Sequence, residues 1–322
     1  MYRIKCFSLV FAFVLALPCF SQADSVSEKG KNWKVKLNTS WVHEDNLIGT
    51  PTNGTARPAG IVGTSPDADG FNWDLTADYK YKFNDKINFK LNYDLDQTYY
   101  GNNSAYDVTT QFFGVGMTRK INPLTNFQLD YKYIYNIVDR DDFSGIHYVN
   151  PAFNHMHAKY GLTRIDYLYK YTDNWKFDSR DTTQNSIGLT QYVFFSNFKR
   201  RVSLGYRFAK DDATGFLAFS RKIHDFKFSI KSPIAYGVNL NAKTKFSIRD
   251  YTNRPTEVGG VAGRNDYVQN YSIKLDKSLL KHWKCLNDLV AEASYRHNFN
   301  NSNELVRNHK NNIFQLGLTA KF

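Results

Sequence analysis

Apolar and polar residues alternate with a period of two along most of this chain, in segments longer than an ordinary sheet uses. In residues 71–83, Phe71, Trp73, Leu75, Ala77, Tyr79, Tyr81 and Phe83 interleave with Asn72, Asp74, Thr76, Asp78, Lys80 and Lys82. Successive strand side chains point to opposite faces, so the segment has one apolar and one polar face. Residues 87–95, 127–137 and 238–248 repeat the pattern. Such segments, of about 10–14 residues, recur from Trp33 to Phe322. Globular strands usually have about 5–6 residues, whereas a tilted strand needs about 9–11 to cross hydrocarbon. A soluble β-sandwich also alternates, but with shorter strands and a second sheet over each apolar face.

The spacing predicts an all-β fold: a transmembrane antiparallel up-and-down β-barrel of fourteen strands, with twelve or sixteen as alternatives. The expected strands cover 33–43, 71–83, 86–98, 107–120, 126–138, 152–160, 164–177, 185–195, 201–210, 217–231, 238–250, 266–277, 287–299 and 309–322. Short turns at Asn84-Asp85, residues 122–125 and Ser232-Pro233 alternate with long polar loops over 44–70, 139–151 and 251–265. Short turns on one side and long loops on the other is the layout of outer-membrane barrels. Aromatic residues make up 16% of the chain, which excludes a disordered one. Tyr79, Tyr81 and Phe83 at one strand end, and Tyr99 and Tyr100 at the other, suit the two interfacial girdles.

Residues 1–23 have the form of a secretory signal. Arg3 and Lys5 precede the apolar stretch 7–17, and Ser21-Gln22-Ala23 is a small-x-small cleavage site. The expected organisation is a signal peptide over 1–23, a short periplasmic segment over 24–32 and a barrel over 33–322. With Cys6 and Cys19 removed, Cys285 is alone and cannot form an intrachain disulfide. The expected location is the outer membrane of a Gram-negative bacterium, both termini periplasmic. Phe314, Leu316, Leu318 and Phe322 close the chain as an alternating strand ending in Phe. That ending resembles the signal read by the barrel assembly machinery in outer-membrane barrels.

The C-terminal half carries a narrower pattern. Gly205-Tyr206-Arg207-Phe208, Asp211-Asp212-Ala213, Arg249-Asp250-Tyr251 and Arg264-Asn265-Asp266 are followed by Ser294-Tyr295-Arg296-His297, Asn301-Ser302-Asn303 and Leu316-Gly317-Leu318. This is similar to the fourteen-stranded C-terminal barrel of surface lipoprotein assembly modifiers, closely over 185–322 and loosely over 71–184. Members of that family carry a periplasmic helical repeat domain, for which the short segment 24–32 leaves no room. The resemblance implies a lipoprotein client.

A barrel of this size can enclose water. Its expected lining is mixed on strands two and three, with Asp74, Asp78, Asp94 and Asp96 among Lys80, Lys82 and Lys90. On strands ten and eleven the expectation is a basic wall of Lys227, Lys231, Lys243, Lys245 and Arg249, with no carboxylate. Arg207 and Arg296 add to the bases, with Lys132, Arg164, Lys170 and Lys274 against Asp130, Asp166, Asp276 and Glu292. The net charge is +12, or +10 without Arg3 and Lys5. Rings of Lys and Arg favour anions. The leading expectation is a passive, porin-like diffusion channel favouring anionic solutes. The alternatives are export or display of a lipoprotein or other protein client, and an outer-membrane enzyme or plugged structural barrel. Expected partners are outer-membrane lipid and lipopolysaccharide, the assembly machinery and small hydrophilic solutes. Nucleic acid is excluded by export.

No catalytic residue and no cofactor is expected. His155 and His157 could bind zinc with His147, but loop histidines are the plainer reading. Asp67-Ala68-Asp69-Gly70 resembles part of a calcium loop without its later Glu. Asp211-Asp212 with His309 could imitate a protease site.

Overall fold

The structure is a computed structural model and describes residues 31–47, 67–101, 103–157, 160–215, 217–255, 262–283, 286–304 and 307–322. The signal sequence, most of the 44–70 loop and Cys285 lie outside the described residues. Fourteen strands form one closed antiparallel barrel in which each strand pairs with its chain neighbours and the last pairs with the first. They are β1 (Lys31–Glu44), β2 (Ala68–Lys82), β3 (Ile87–Tyr100), β4 (Val108–Asn122), β5 (Thr125–Val138), β6 (Asp141–His157) and β7 (Gly161–Asp173). The circuit continues through β8 (Thr182–Phe195), β9 (Arg200–Ala213), β10 (Arg221–Pro233), β11 (Val238–Pro255), β12 (Ala262–Trp283), β13 (Leu286–Ser302) and β14 (His309–Lys321). Closure leaves no free sheet edge, so every strand spends its backbone groups on two neighbours.

The period-two pattern sets which face points where. The outward face carries large apolar side chains open to the surroundings, including Trp33 at 66%, Leu204 at 64% and Leu316 at 57% exposure. An aqueous surface would not tolerate such a band, whereas hydrocarbon does. At the end bearing the termini the rings cluster. Trp33 and Tyr79 pack tilted by 34° with centroids 4.5 Å apart, and Phe83 meets Phe89 edge-on at 6.3 Å.

The turns at that end follow from side-chain chemistry. Asn84 Oδ1 accepts the backbone N–H groups of Lys86 and Ile87, each at 2.8 Å, and Asn122 Oδ1 accepts that of Leu124 at 2.9 Å. Short polar side chains that capture the backbone in this way favour turns over strand continuation.

Four expectations change. The turn expected at Ser232-Pro233 falls at 234–237, because β10 runs to Pro233. Residues 139–151 are not a long loop. Asp139 and Arg140 adopt φ of 50° and 68°, a two-residue hairpin turn, and β6 starts at Asp141 rather than near 152. Residues 251–265 are largely strand, because β11 runs to Pro255 and β12 begins at Ala262. Tyr100 does not join the girdle: it is buried, and its hydroxyl donates to Glu44 at 2.8 Å, while Tyr99 remains outward.

Candidate functional site in the barrel lumen

The inward face divides into an open half and a filled half. The open half is a cavity of about 490 Å³ bounded by β1–β3 on one side and β11–β14 on the other. Asp74 and Asp96 line one wall, opposite each other in the β2–β3 register, and Asp94 pairs with Thr76 one step away. Lys243 and Arg296 line the other. Lys36, Lys274 and Lys321 bring the bases to five, against the three carboxylates Asp74, Asp96 and Glu292. Two of the bases are engaged: Lys274 pairs with Glu292 at 2.7 Å, and Lys321 pairs with Asp288 at 2.9 Å. Asp78 lies further toward the termini, hydrogen-bonded by Asn92 with Lys90 at 3.6 Å.

The filled half runs along β7–β12. Asp166 on β7 pairs with Arg207 on β9, across Gly188 on the intervening strand. Asp211 on β9 accepts Arg221 Nε at 3.0 Å, and Arg221 Nη1 reaches the Tyr251 hydroxyl at 2.7 Å. The Tyr251 ring lies 5.4 Å from the Arg221 guanidinium and 4.4 Å from that of Arg264. Arg264 in turn donates to Asp266 at 2.8 Å. Desolvated guanidiniums against an aromatic ring gain from its quadrupole, and each carboxylate here has a cation beside it.

The expected basic wall is therefore corrected. Lys227, Lys245 and Arg249 share the inward faces of β10 and β11, but so does Asp225, which pairs with Lys245 at 3.0 Å. Counting back two residues from Lys227 along its face finds this carboxylate. Lys231 continues that face toward the terminus-bearing end, opposite Asn241. Of the resemblance residues, Asp211, Tyr251, Arg264 and Asp266 are linked through Arg221 in the filled half, Arg207 pairs there with Asp166, and Arg296 faces the cavity.

The other constellations do not assemble. His147 and His155 are eight residues apart on β6, about 26 Å at ~3.3 Å per residue, too far to share a metal. His147 instead accepts or donates at the Tyr131 hydroxyl, 2.9 Å away on the outward face. Asp69 sits within β2 and contacts His43 at 3.0 Å. Asp211 is held by Arg221, and His309 lies on β14, five strands around the barrel from β9.

Searches by sequence find no matching protein-family model and no matching curated protein. Solved structures do match. OmpT, an outer membrane protein of Vibrio cholerae, aligns with a TM-score of 0.53 and 9% identity over 91% of this chain and 97% of its own. This chain has the outer-membrane β-barrel fold. The outer membrane channel DcaP of Acinetobacter baumannii gives a TM-score of 0.52 at 11% identity, covering 92% of this chain and 99% of that one. An anion-selective porin from Comamonas acidovorans gives 0.51 at 8% identity, covering 91% and 99%. At such identities the likeness is one of fold.

Proposed function

We propose that this barrel is a passive diffusion channel of the Gram-negative outer membrane, with periplasmic termini and a preference for small anionic solutes. The cavity carries the reading. Its volume of about 490 Å³ is ample for a cluster of waters, and five bases outnumber three carboxylates on its wall. Fixed bases in a narrow aqueous path lower the energy of an anion relative to a cation. Channel barrels of the same fold, one of them an anion-selective porin, agree with it. On this reading the outward aromatic face meets lipid and lipopolysaccharide. Phe314, Leu316, Leu318 and Phe322 serve recognition by the barrel assembly machinery. The barrel is not an enzyme. The test is conductance of the purified protein in a planar bilayer: steps that favour chloride over potassium are expected, and absence of current refutes it.

A second reading, surface display of a lipoprotein client, is favoured by one observation. Asp211, Tyr251, Arg264 and Asp266, among the residues that carry the resemblance to surface lipoprotein assembly modifiers, are linked through Arg221 in the filled half of the lumen. Its test is loss of a surface-exposed lipoprotein on gene deletion. Unchanged surface lipoproteins refute it.

A further inference from the structure

The open cavity holds charges that its own walls leave unmatched. Asp74 and Asp96 both line it and face each other directly in the β2–β3 register. Like charges so placed repel. Their side-chain hydrogen bonds come from neutral groups: Thr76 donates to Asp74 at 3.1 Å and Asn72 to Asp96 at 3.2 Å. Neither carboxylate has an ion pair among the described residues. With Lys274 and Lys321 engaged, the bases Lys36, Lys243 and Arg296 are likewise without one. Lys36 comes within Coulomb range of Asp74, and Arg296 within range of Asp96.

These charges have a definite arrangement. Asp96 lies nine residues from the terminus-bearing end of β3, and Arg296 ten from that of β13. The two therefore stand nearly level on facing walls. Lys243 and Arg296 flank Ser272 in one register row across β11, β12 and β13. Their backbones are roughly 10 Å apart there, two strand spacings, so both long side chains can reach one group held over Ser272. Lys36 stands opposite Thr76, the next inward residue after Asp74, and so lies beside the carboxylate pair.

A simple anion drawn to Arg296 comes level with Asp96 and is repelled by it. A simple cation at Asp74 meets Lys36. A solute carrying both signs in the matching order satisfies both walls at once. We propose that the cavity is a binding site for acidic amino acids, which carry one ammonium and two carboxylates. The ammonium, with three donors, sits between Asp74 and Asp96. The carboxylate next to it on the same carbon meets Lys36. The distal carboxylate crosses the lumen to Lys243, Ser272 and Arg296. The net charge of such a solute, −1, complements three free bases against two free carboxylates. A volume of about 490 Å³ is in the range of small-molecule sites. The inference deepens the channel reading and rests on it for the solute's route to the cavity.

The test uses the full protein, purified in a non-ionic detergent. Glutamate, glutarate and glutamine are titrated at neutral pH and equal ionic strength, with binding read by isothermal calorimetry. Glutarate keeps the two carboxylates without the ammonium, and glutamine keeps the ammonium without the distal charge. Saturable binding of glutamate is expected, at least tenfold tighter than of either analogue. Asp96→Asn should weaken glutamate at least tenfold without weakening glutarate, a split that a merely structural role would not produce. Lys86→Gln, in a distant turn, is the control and should change neither. The proposal is overturned if glutamate does not bind saturably, if either analogue binds as tightly, or if Asp96→Asn weakens glutamate and glutarate alike. A planar-bilayer recording of the same preparation separates the two readings. Ion current without glutamate binding overturns the site and leaves the channel; glutamate binding without current supports the site and refutes the channel. The wild-type series decides even where a variant fails to fold.

Discussion

Gly188 offers a test in which the sign of a stability change should reverse. It lies on β8 opposite both Asp166 and Arg207, and their ion pair passes over it. A methyl group at Gly188 would sit 2.9 Å from Arg207 Nη2 and 3.0 Å from Asp166 Oδ1, where ordinary contact begins near 3.4 Å. The guanidinium must shift by about half an ångström and loosen its hold on Asp166, which is 5% exposed. Losing a hydrogen bond to a charged group costs about 1.5–3 kcal/mol. Replacing a strand glycine by alanine returns about 0.5–1 kcal/mol through chain entropy. Gly188→Ala should therefore destabilise the barrel by about 1–2 kcal/mol. In an Arg207→Ala background the guanidinium is gone and the Asp166 carboxylate, no longer tied to it, can swing off the methyl, so the same change should stabilise by about 0.5–1 kcal/mol. The coupling of about 1.5–3 kcal/mol is read from a double-mutant cycle on urea unfolding in lipid vesicles. Tryptophan emission and far-ultraviolet dichroism report the transition. A Gly188→Ala effect of the same sign and size in both backgrounds would refute the reasoning.

Three further perturbations follow. Lys243→Glu takes the net charge lining the cavity from +2 to 0, so the reversal potential under a potassium chloride gradient should move toward cation preference; no movement would put Lys243 off the conduction path. Arg221→Gln leaves Asp211, 1% exposed, without its cation and should cost about 3–5 kcal/mol in the same unfolding assay. Adding Asp211→Asn should recover most of that loss, and failure to recover would show that the pair is not what holds this region. Phe322→Ala should lower the fraction of folded, heat-modifiable barrel seen on gels of unboiled membranes, and equal yields would argue against an assembly role for the terminal residue.

Most of the architecture is legible because a barrel in hydrocarbon has a simple rule: outward apolar, inward polar, every second residue. Strand number and most boundaries follow from that rule alone. It fails at β6, where Asp141, Asp142, Gly145 and Pro151 imitate a loop. Proline is usually kept out of paired strands, yet Pro151 pairs with Leu129. The extensions of β11 and β12 were hidden likewise, since beyond the membrane a strand no longer needs an apolar face. Parity also identifies the inward charges. It does not say which of them pair, because Arg207 reaches Asp166 two strands away and only the register puts them on one row. Tyr100 shows the remaining limit. Aromatic identity suggested the interface, but its even-numbered position turns it inward to Glu44.

The seam between β1 and β14 carries a consequence for how the molecule comes into being. Asn38 donates to Thr319 at 2.7 Å across a separation of 281 residues. The two backbones pack so tightly there that a Cβ on Gly317 would lie 2.5 Å from the Thr39 carbonyl oxygen. A contact of that span cannot form until both ends of the chain are present and brought together. Every earlier intermediate is an open ribbon with two unpaired margins and an apolar back, the condition that invites association with other chains. Survival of this protein in the cell therefore depends on what shields the ribbon before the ring shuts, as much as on the stability of the ring itself.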